Sequence, residues 1–593
     1  MQRLRLRVNL ALTNFDAPKP VIDALQYAED VIAGDIVAGE LVKSACRRFL
    51  ADLKRQGTKS FPYIFDPESA ARPCRFISCL PHIAGIWAKR GETISLEPWQ
   101  SFIVCNLFGW ITDRDILDQE SGSLSVFAGS RRFRNAYIEV ARKNAKSTLA
   151  AGIALYMLLA DKEEGAEVYS AATTRKQAQI VWKTAKRMVE KCPDLRNRFQ
   201  VNTGAHSIAS ATNGGIFEAL HAQGETLDGL NIHAAVIDEL HAHKTREVYD
   251  VIETACGSRE QPLLFNITTA GFNRAGICFE LRTYAKKIMD QVLQDEQFFA
   301  AVYTLDENDD IFNEAVWPKS NPNYGVSVFP FDMRTLARKA KETPSAENNF
   351  ATKRCNVWCN AESAWLNMRA WDAQADVSLD ESDFYDDPCW IGADLASKVD
   401  LTAIVRVYLR QIDGRPNLYV FPSFYLPAAT IEAGRNSQYE GWKKRGILQS
   451  TPGNIIDMDA IEEDVKLMVS RCSDFRELAY DPLHNATQWA SHLMEDGIEC
   501  VEVRPTVMYL SEPMKWIEAM TLDSRIHHPG NECLTWNLSN ICVEPDRNDN
   551  IFPRKQRADN KIDGAIALIM ATNRALADDD AGDVYDQRGV LML

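Results

Sequence analysis

Residues 135–160, NAYIEVARKNAKSTLAAGIALYMLLA, decide how the first half of this 593-residue chain is read. A short apolar run, NAYIEVA, leads into a basic loop, and the loop into a long apolar stretch of helical length. A strand that feeds a helix N-terminus through a loop gathers backbone N–H groups where a phosphate can sit. In the loop VARKNAKST, Val140 to Thr148, Lys146 is placed to reach β- and γ-phosphates and Ser147 to ligate magnesium. Arg142, Lys143, Asn144, Ala145 and Thr148 make up the rest of this cofactor-binding loop. The usual pattern is G-x-x-x-x-G-K-[ST], and Val140 and Ala145 occupy its two glycine positions. Taken alone, the segment reads equally well as a basic loop before a helix.

The surrounding sequence adds to it. AEVYSAA, AAVIDEL and PLLFNITTAG are further brief, β-rich runs ending in small or polar residues, and helical patterns separate them. That alternation suits buried parallel strands whose carboxyl ends carry function. In HAAVIDELHAH, Asp238 and Glu239 close an apolar strand, the arrangement that supplies one carboxylate for a magnesium shell and one for the attacking water. Thr268 to Gly271 end another strand, as either a γ-phosphate sensor or a plain turn.

An acidic stretch, DAQADVSLDESDFYDDP, follows, and reads as a seam between domains. Beyond it CWIGADLA, TAIVRVYLRQ and NLYVFPSFYLP read as three strands, with QIDGRPN turning between the last two. LAYDP and ECVEVRP are later strands, and DGAIALIMATNRA is a helix. Asp394 lies on the first of these strands, Asp481 closes a later one and Asp563 opens the helix. Carboxylates converging from separate elements are what two divalent ions need to cut a phosphodiester. Each also has a plainer reading: a turn for Asp394, a strand-end cap before Pro482 for Asp481, a helix N-cap for Asp563.

With 46% hydrophobic and 25% charged residues, the chain has the composition of a folded, multidomain protein. A net charge of −16 excludes a uniformly basic coat but not a local basic channel for DNA. The fourteen cysteines show no paired C-x-x-C knuckles, so buried thiols in a reducing compartment are expected rather than a zinc site. The start, MQRLRLRVNLALTNF, lacks the apolar core of a signal peptide, and no run is long enough to span a bilayer, so neither secretion nor a membrane partner is expected. Arg131 to Lys146 carries six basic residues against one acid; TRKQAQIVWKTAKRMVEK, RTLARKAK and PRKQRADNK are other basic segments. Each is a candidate for sequence-independent phosphate contacts or a solvated helix face.

The ordered series LEPWQSFIVCNLFGW, VARKNAKST, SAATTRKQAQIVW, GLNIHAAVIDELHAH and NITTAG resembles the large terminase subunit of tailed bacteriophages. The likeness continues through GADLASKVDLTAIV, FYLPAATI, LAYDP and ADNKIDGAIALIMA, covering roughly residues 90–577. It implies an α/β protein: a P-loop ATPase domain of the RecA-like, additional-strand type, followed by an RNase H-like nuclease domain. The expected layout is a helical extension over 1–95, the ATPase over 96–371, an acidic linker over 372–388, the nuclease over 389–577 and an acidic flexible tail over 578–593.

The resemblance makes Gln100 the adenine contact and Arg142 a charge-stabilising arginine. It makes Asp238 a magnesium ligand, Glu239 the catalytic acid of ATP hydrolysis, and Asp394, Asp481 and Asp563 catalytic ligands of two Mg2+ or Mn2+ ions, with Asp400 a further acidic position. The implied cofactors are ATP and Mg2+. The implied partners are double-stranded DNA, a portal protein, a small terminase subunit and copies of the chain in a ring on the portal, in the host cytoplasm and transiently on the procapsid. Two alternatives stand beside this reading: a DNA helicase or remodelling ATPase with a non-catalytic second domain, and a non-enzymatic assembly scaffold whose loop Ala145 has spoiled.

Overall fold

The structure is a computed structural model that describes residues 17–588, apart from 118–123, 221–228, 244, 275, 343, 360–364, 397–398, 435, 437, 484–485, 544–545, 547 and 556–559. The N-terminal stretch read against a signal peptide, part of the basic segment PRKQRADNK and the last five residues lie outside this set. The chain forms two units, Met1–Arg338 with Asn349–Cys359, and Lys339–Asn348 with Asn360–Leu593.

The first unit is built on an eight-stranded sheet. In chain order its strands are β1 (Asn135–Glu139), β2 (Glu167–Ala171), β3 (Val201–Thr203), β4 (Ser207–Ser210), β5 (Ile216–Ala219), β6 (Ile232–Asp238), β7 (Leu263–Thr268) and β8 (Phe298–Val302). Their spatial order is β8-β1-β7-β6-β2-β5-β4-β3. The six strands from β8 to β5 run parallel, and β4 and β3 add an antiparallel edge. Every residue of β6, β7 and β8 is buried, which is why these strands read as unbroken apolar runs rather than alternating ones. One strand, β7, separates β1 from β6, so the strand leading to the basic loop and the strand ending in Asp238 are not neighbours. That is the additional-strand order.

Residues 17–95 are not a separate extension. Val21, Phe49 and Ala70, on the helices Lys19–Ala33, Glu40–Arg55 and Pro67–Ser78, share one core with Ala136 of β1 and Phe299 of β8. Arg132, fully buried just before β1, pairs with Asp52 and Glu296 and stacks on the Phe61, Tyr63, Trp110 and Phe133 rings. A buried guanidinium needs this many partners, so the helices must stay in place to supply them.

The second unit has its own sheet. Its strands are β9 (Cys389–Asp394), β10 (Thr402–Ile412), β11 (Arg415–Pro427), β12 (Gln449–Thr451), β13 (Phe475–Tyr480), β14 (Cys500–Glu502) and β15 (Ile526–His527). They lie in the order β12-β11-β10-β9-β13-β14, with β15 also beside β11. β9, β10 and β11 form an antiparallel meander, while β13 and β14 run parallel to β9. This is the RNase H-like order. The turn between β10 and β11 is Asp413-Gly414, both at positive φ (52° and 73°), the two-residue geometry whose twist matches a hairpin.

The helix Asp563–Arg588 packs across β9 and β10. It reaches β9 at Gly392, where a Cβ would stand 1.9 Å from the Ala567 carbonyl oxygen. Residues 578–588, expected as a tail, continue this helix. The acidic stretch 372–388 is likewise not a free linker. Phe384 is buried against Tyr408, Tyr419 and Phe421, while Glu381 pairs with Arg406 and Asp387 with Arg410. Its acidity answers two arginines of β10.

Candidate active sites

The basic loop leaves β1 at Glu139 and enters the helix Lys146–Leu159 at Lys146. Lys143 and Ala145 sit in the left-handed region, at φ 73° and 56°. The loop therefore makes the turn for which glycine is the usual residue, and makes it with side chains attached. Asn144 holds it there: its buried amide donates to Ala141 O, Arg142 O and Asn321 Oδ1, and its oxygen accepts the Asn323 N–H. Asn323 Oδ1 in turn accepts from Trp99 Nε1, and Ser327 Oγ donates to Lys143 O. The strained loop is thus cradled by the segment 320–327.

Lys146 is buried and donates to the loop's own carbonyls, Val140 O at 3.1 Å and Ala141 O at 3.4 Å. Burial pulls its pKa down, and the nearby Glu239 and Asp238 carboxylates push it back up. Ser147 Oγ donates to Asp238 Oδ2 at 3.4 Å, so the loop and the end of β6 meet. Asp238 is buried and held up to about 6, first by burial and then by Glu239.

Glu239, at φ 53°, turns the chain sharply after β6. Among the described residues its buried Oε2 has no hydrogen-bond partner, although His241 Nδ1 lies 3.2 Å away. Such an acceptor is costly unless a ligand or water completes it. Arg142 and Lys143 are exposed on the loop, and Thr148 is half-buried. Gln100, in the first turn of the helix Pro98–Gly109, is buried, with Oε1 accepting the Glu97 N–H in a capping box.

The sequence reading overlooked His241. Its Nδ1 lies 3.0 Å from Thr268 Oγ1 and 3.3 Å from Thr269 Oγ1, and its backbone N–H donates to Thr268 Oγ1. Burial holds it down to about 4, and its bonds to Thr268 and Thr269 keep it at the end of β7, beside Glu239. Gly271 leaves room for it, since a Cβ there would meet His241 Cβ at 2.8 Å. The signal was a histidine two residues after the Asp-Glu pair.

In the second unit, Asp394 ends β9 and Asp481 follows the end of the adjacent parallel β13, where Ala393 pairs with Tyr480. Asp563 opens the helix that crosses this sheet. The three fall into one electrostatic neighbourhood. Asp394 is held well above the usual carboxylate range by burial, then by Asp563, Asp481 and Asp400, with Lys555 acting against them. Asp563 is held up to about 6 by burial and Asp400. Asp400 itself pairs with Lys561 at 2.6 Å. Among the described residues no three His, Cys, Asp or Glu side chains already enclose a metal position. The donor set nonetheless fits hard divalent cations: several carboxylates crowd one place, and a cation relieves their mutual repulsion.

Two family profiles match the chain: "Terminase large subunit, ATPase domain" over residues 98–287 and "Terminase large subunit, endonuclease domain" over 292–579. The chain belongs to the terminase large subunit family. The endonuclease match begins ahead of β8, which pairs with β1, so the structural division falls later than the profile boundary. The "Terminase, large subunit" of Enterobacteria phage HK97 is 26% identical over 79% of this chain and 91% of its own length. "Protein YmfN" of Escherichia coli (strain K12) is 35% identical over 62% of this chain and 83% of its own. The crystal structure of the HK97 large terminase aligns with 25% identity over 85% of this chain and 99% of that chain, at a TM-score of 0.41.

This terminase subunit is an ATPase and an endonuclease of phage DNA packaging, working with nucleotide, divalent metal and DNA. Neither a helicase with an inert second half nor a non-enzymatic scaffold is favoured, because the second unit itself matches the endonuclease family. No helix among the described residues is long and apolar enough to cross a membrane.

Proposed function

We propose that the two activities are carried by the two carboxylate-bearing sites described above, one in each unit. The observation that carries this reading is the convergence of Asp394 and Asp400, Asp481, and Asp563 from three separate parts of the chain onto one half-buried place.

In the first unit, ATP lies over the loop 140–148, with backbone N–H groups of Lys143 to Thr148 facing its phosphates. Lys146 gives up its two carbonyl partners for the β- and γ-phosphates, and Ser147 and Asp238 hold the magnesium ion. Glu239, with Oε2 unpartnered, orients the attacking water and accepts its proton. Arg142, exposed at the loop's start, stabilises charge that develops on the γ-phosphoryl group. Gln100 keeps its oxygen on Glu97 and offers its amide nitrogen to the adenine.

In the second unit, Asp394, Asp481 and Asp563 would hold two divalent ions, Mg2+ or Mn2+. Such ions supply a hydroxide nucleophile and a Lewis acid for the leaving oxygen. The aspartates would hold them from a sheet and a helix packed against each other, and Lys555 and Lys561 bring positive charge near these acids for the DNA backbone. The full assembly is a ring of these chains on the portal of a procapsid in the host cytoplasm, loading double-stranded DNA presented by a small terminase subunit.

Paired variants test the assignment in the purified full-length chain. Lys146→Ala is expected to abolish ATP turnover while leaving metal-dependent DNA nicking. Asp394→Ala is expected to do the reverse. Cleavage that survives Asp394→Ala undiminished removes the nuclease assignment.

A further inference from the structure

Residues 353–359, the last of the first unit before the chain passes to the second, run beneath the carboxyl ends of β1, β7 and β8. Lys353 O accepts the Arg142 N–H at 3.0 Å. Arg354 O accepts from Asn321 Nδ2 at 2.7 Å, and Asn321 Oδ1 accepts from Asn144. On the other side, Asn356 Oδ1 accepts the Ala270 N–H at 2.6 Å, and the Cys359 N–H approaches Gly271 O at 3.4 Å. Asn356 Nδ2 donates to Tyr303 O at 2.7 Å and to Glu139 Oε1 at 3.3 Å, while its own carbonyl accepts from Thr304 Oγ1. Asn356 is wholly buried at φ 56°, a conformation that asparagine tolerates better than most residues.

These bonds tie together two pieces far apart in sequence: the phosphate loop and the strand end Thr268–Gly271, beside which Glu239 is held by its N–H bond to Ile267 O at 3.0 Å. We infer that Asn356 is a positioning residue of the ATPase site, whose carboxamide fixes the strand end 268–271 against Glu139 and Tyr303, at the strand ends from which the phosphate loop departs, and so sets where Glu239 stands over the bound phosphate. The inference rests on the assignment of the ATP site given above and adds a residue with no place in its motifs. A carboxamide suits this post because it accepts from one strand while donating to two others, and burial excludes water as a substitute. A shift of the strand end moves Glu239 relative to its water without removing any group that binds ATP. The effect therefore belongs in kcat rather than in KM.

The test compares Asn356→Gly with Asn356→Asp in the full-length chain. Glycine keeps the left-handed backbone and deletes the carboxamide; aspartate keeps the acceptor for Ala270. Asn356→Gly is expected to lower kcat about tenfold or more while KM for ATP stays within about threefold, and Asn356→Asp, which sets a carboxylate against Glu139 Oε1 and Tyr303 O, to recover none of the loss. An unchanged kcat in Asn356→Gly overturns the inference, as does a kcat and KM lost together in a folded protein.

If Asn356→Gly does not fold, hydrogen exchange on the unmodified chain decides. With a non-hydrolysable ATP analogue, peptides containing Arg142 and Ala270 are expected to gain protection together. Protection confined to the Arg142 peptide, or absent from both, contradicts the inference. Lys146→Ala separates the two levels. If it leaves ATP turnover intact, the site assignment fails; if it abolishes turnover while Asn356→Gly is silent, only the role of Asn356 fails.

Discussion

Ala145 is the residue at which the ATP site departs most from a glycine-built loop. At φ 56° its Cβ presses on the following carbonyl, a conformation that costs roughly 1–2 kcal/mol for an L-residue. In the proposed binding mode the same methyl group stands where phosphates approach. Ala145→Gly is therefore expected to tighten ATP binding several-fold, read as KM or as nucleotide affinity; weaker binding would show that the methyl group is accommodated.

His243, three per cent exposed, is held down to about 4 by burial. Between its ordinary 6.5 and that value the unfolded chain binds a proton that the folded chain refuses. Stability from this residue is thus complete above pH 6.5 and falls as the pH drops towards 4. Replacing it with Asn is expected to flatten the acid limb of a stability–pH curve relative to the parent, by on the order of 3 kcal/mol at pH 4. Superimposable slopes would contradict the shift.

The residues proposed for the two sites stood out in the sequence because most of them lie at a strand end or helix start, where local pattern is strongest. The residues that hold them were not. Asn144 and Asn321 are 177 positions apart, and Ala270 and Asn356 are 86 apart, so no spacing rule connects them.

At the scale of elements, two contacts decide whether the second site exists. One is the parallel pairing of β9 with β13, which sets Asp394 beside Asp481. The other is the approach of the helix Asp563–Arg588 to β9 at Gly392, which brings Asp563 over them. A methyl group at Gly392 overlaps helix backbone, not a movable side chain. Gly392→Ala is expected to destabilise the second unit by about 3 kcal/mol and to abolish cleavage with ATP turnover retained. A variant as stable and as active as the parent would show that the helix can slide without consequence.

The strands themselves were readable from apolar runs, and the three-strand meander from its Asp-Gly turn. The acidic stretch 372–388 misled because charge without periodicity resembles a linker, whereas here the acids serve Arg406 and Arg410. The first helices misled for a related reason. Amphipathic helices carry no record of what they cover, and these cover the ATPase sheet.

At the scale of the whole molecule, one chain carries two activities, and each unit has its own set of acids. Asp238 and Glu239 belong to a parallel sheet with its own core, and Asp394, Asp481 and Asp563 to another sheet with its own. This is why the composition alone says so little: a net charge of −16 reflects the sum of two units and hides local basic loops such as Arg131 to Lys146.

The account stands most directly on the claim that the second unit's aspartates hold metal. A crystal of the full-length protein soaked in Mn2+, with anomalous scattering recorded, measures it. The account predicts two peaks about 4 Å apart among Asp394, Asp481 and Asp563, both lost in Asp394→Ala. Peaks elsewhere with none among these three side chains would contradict it.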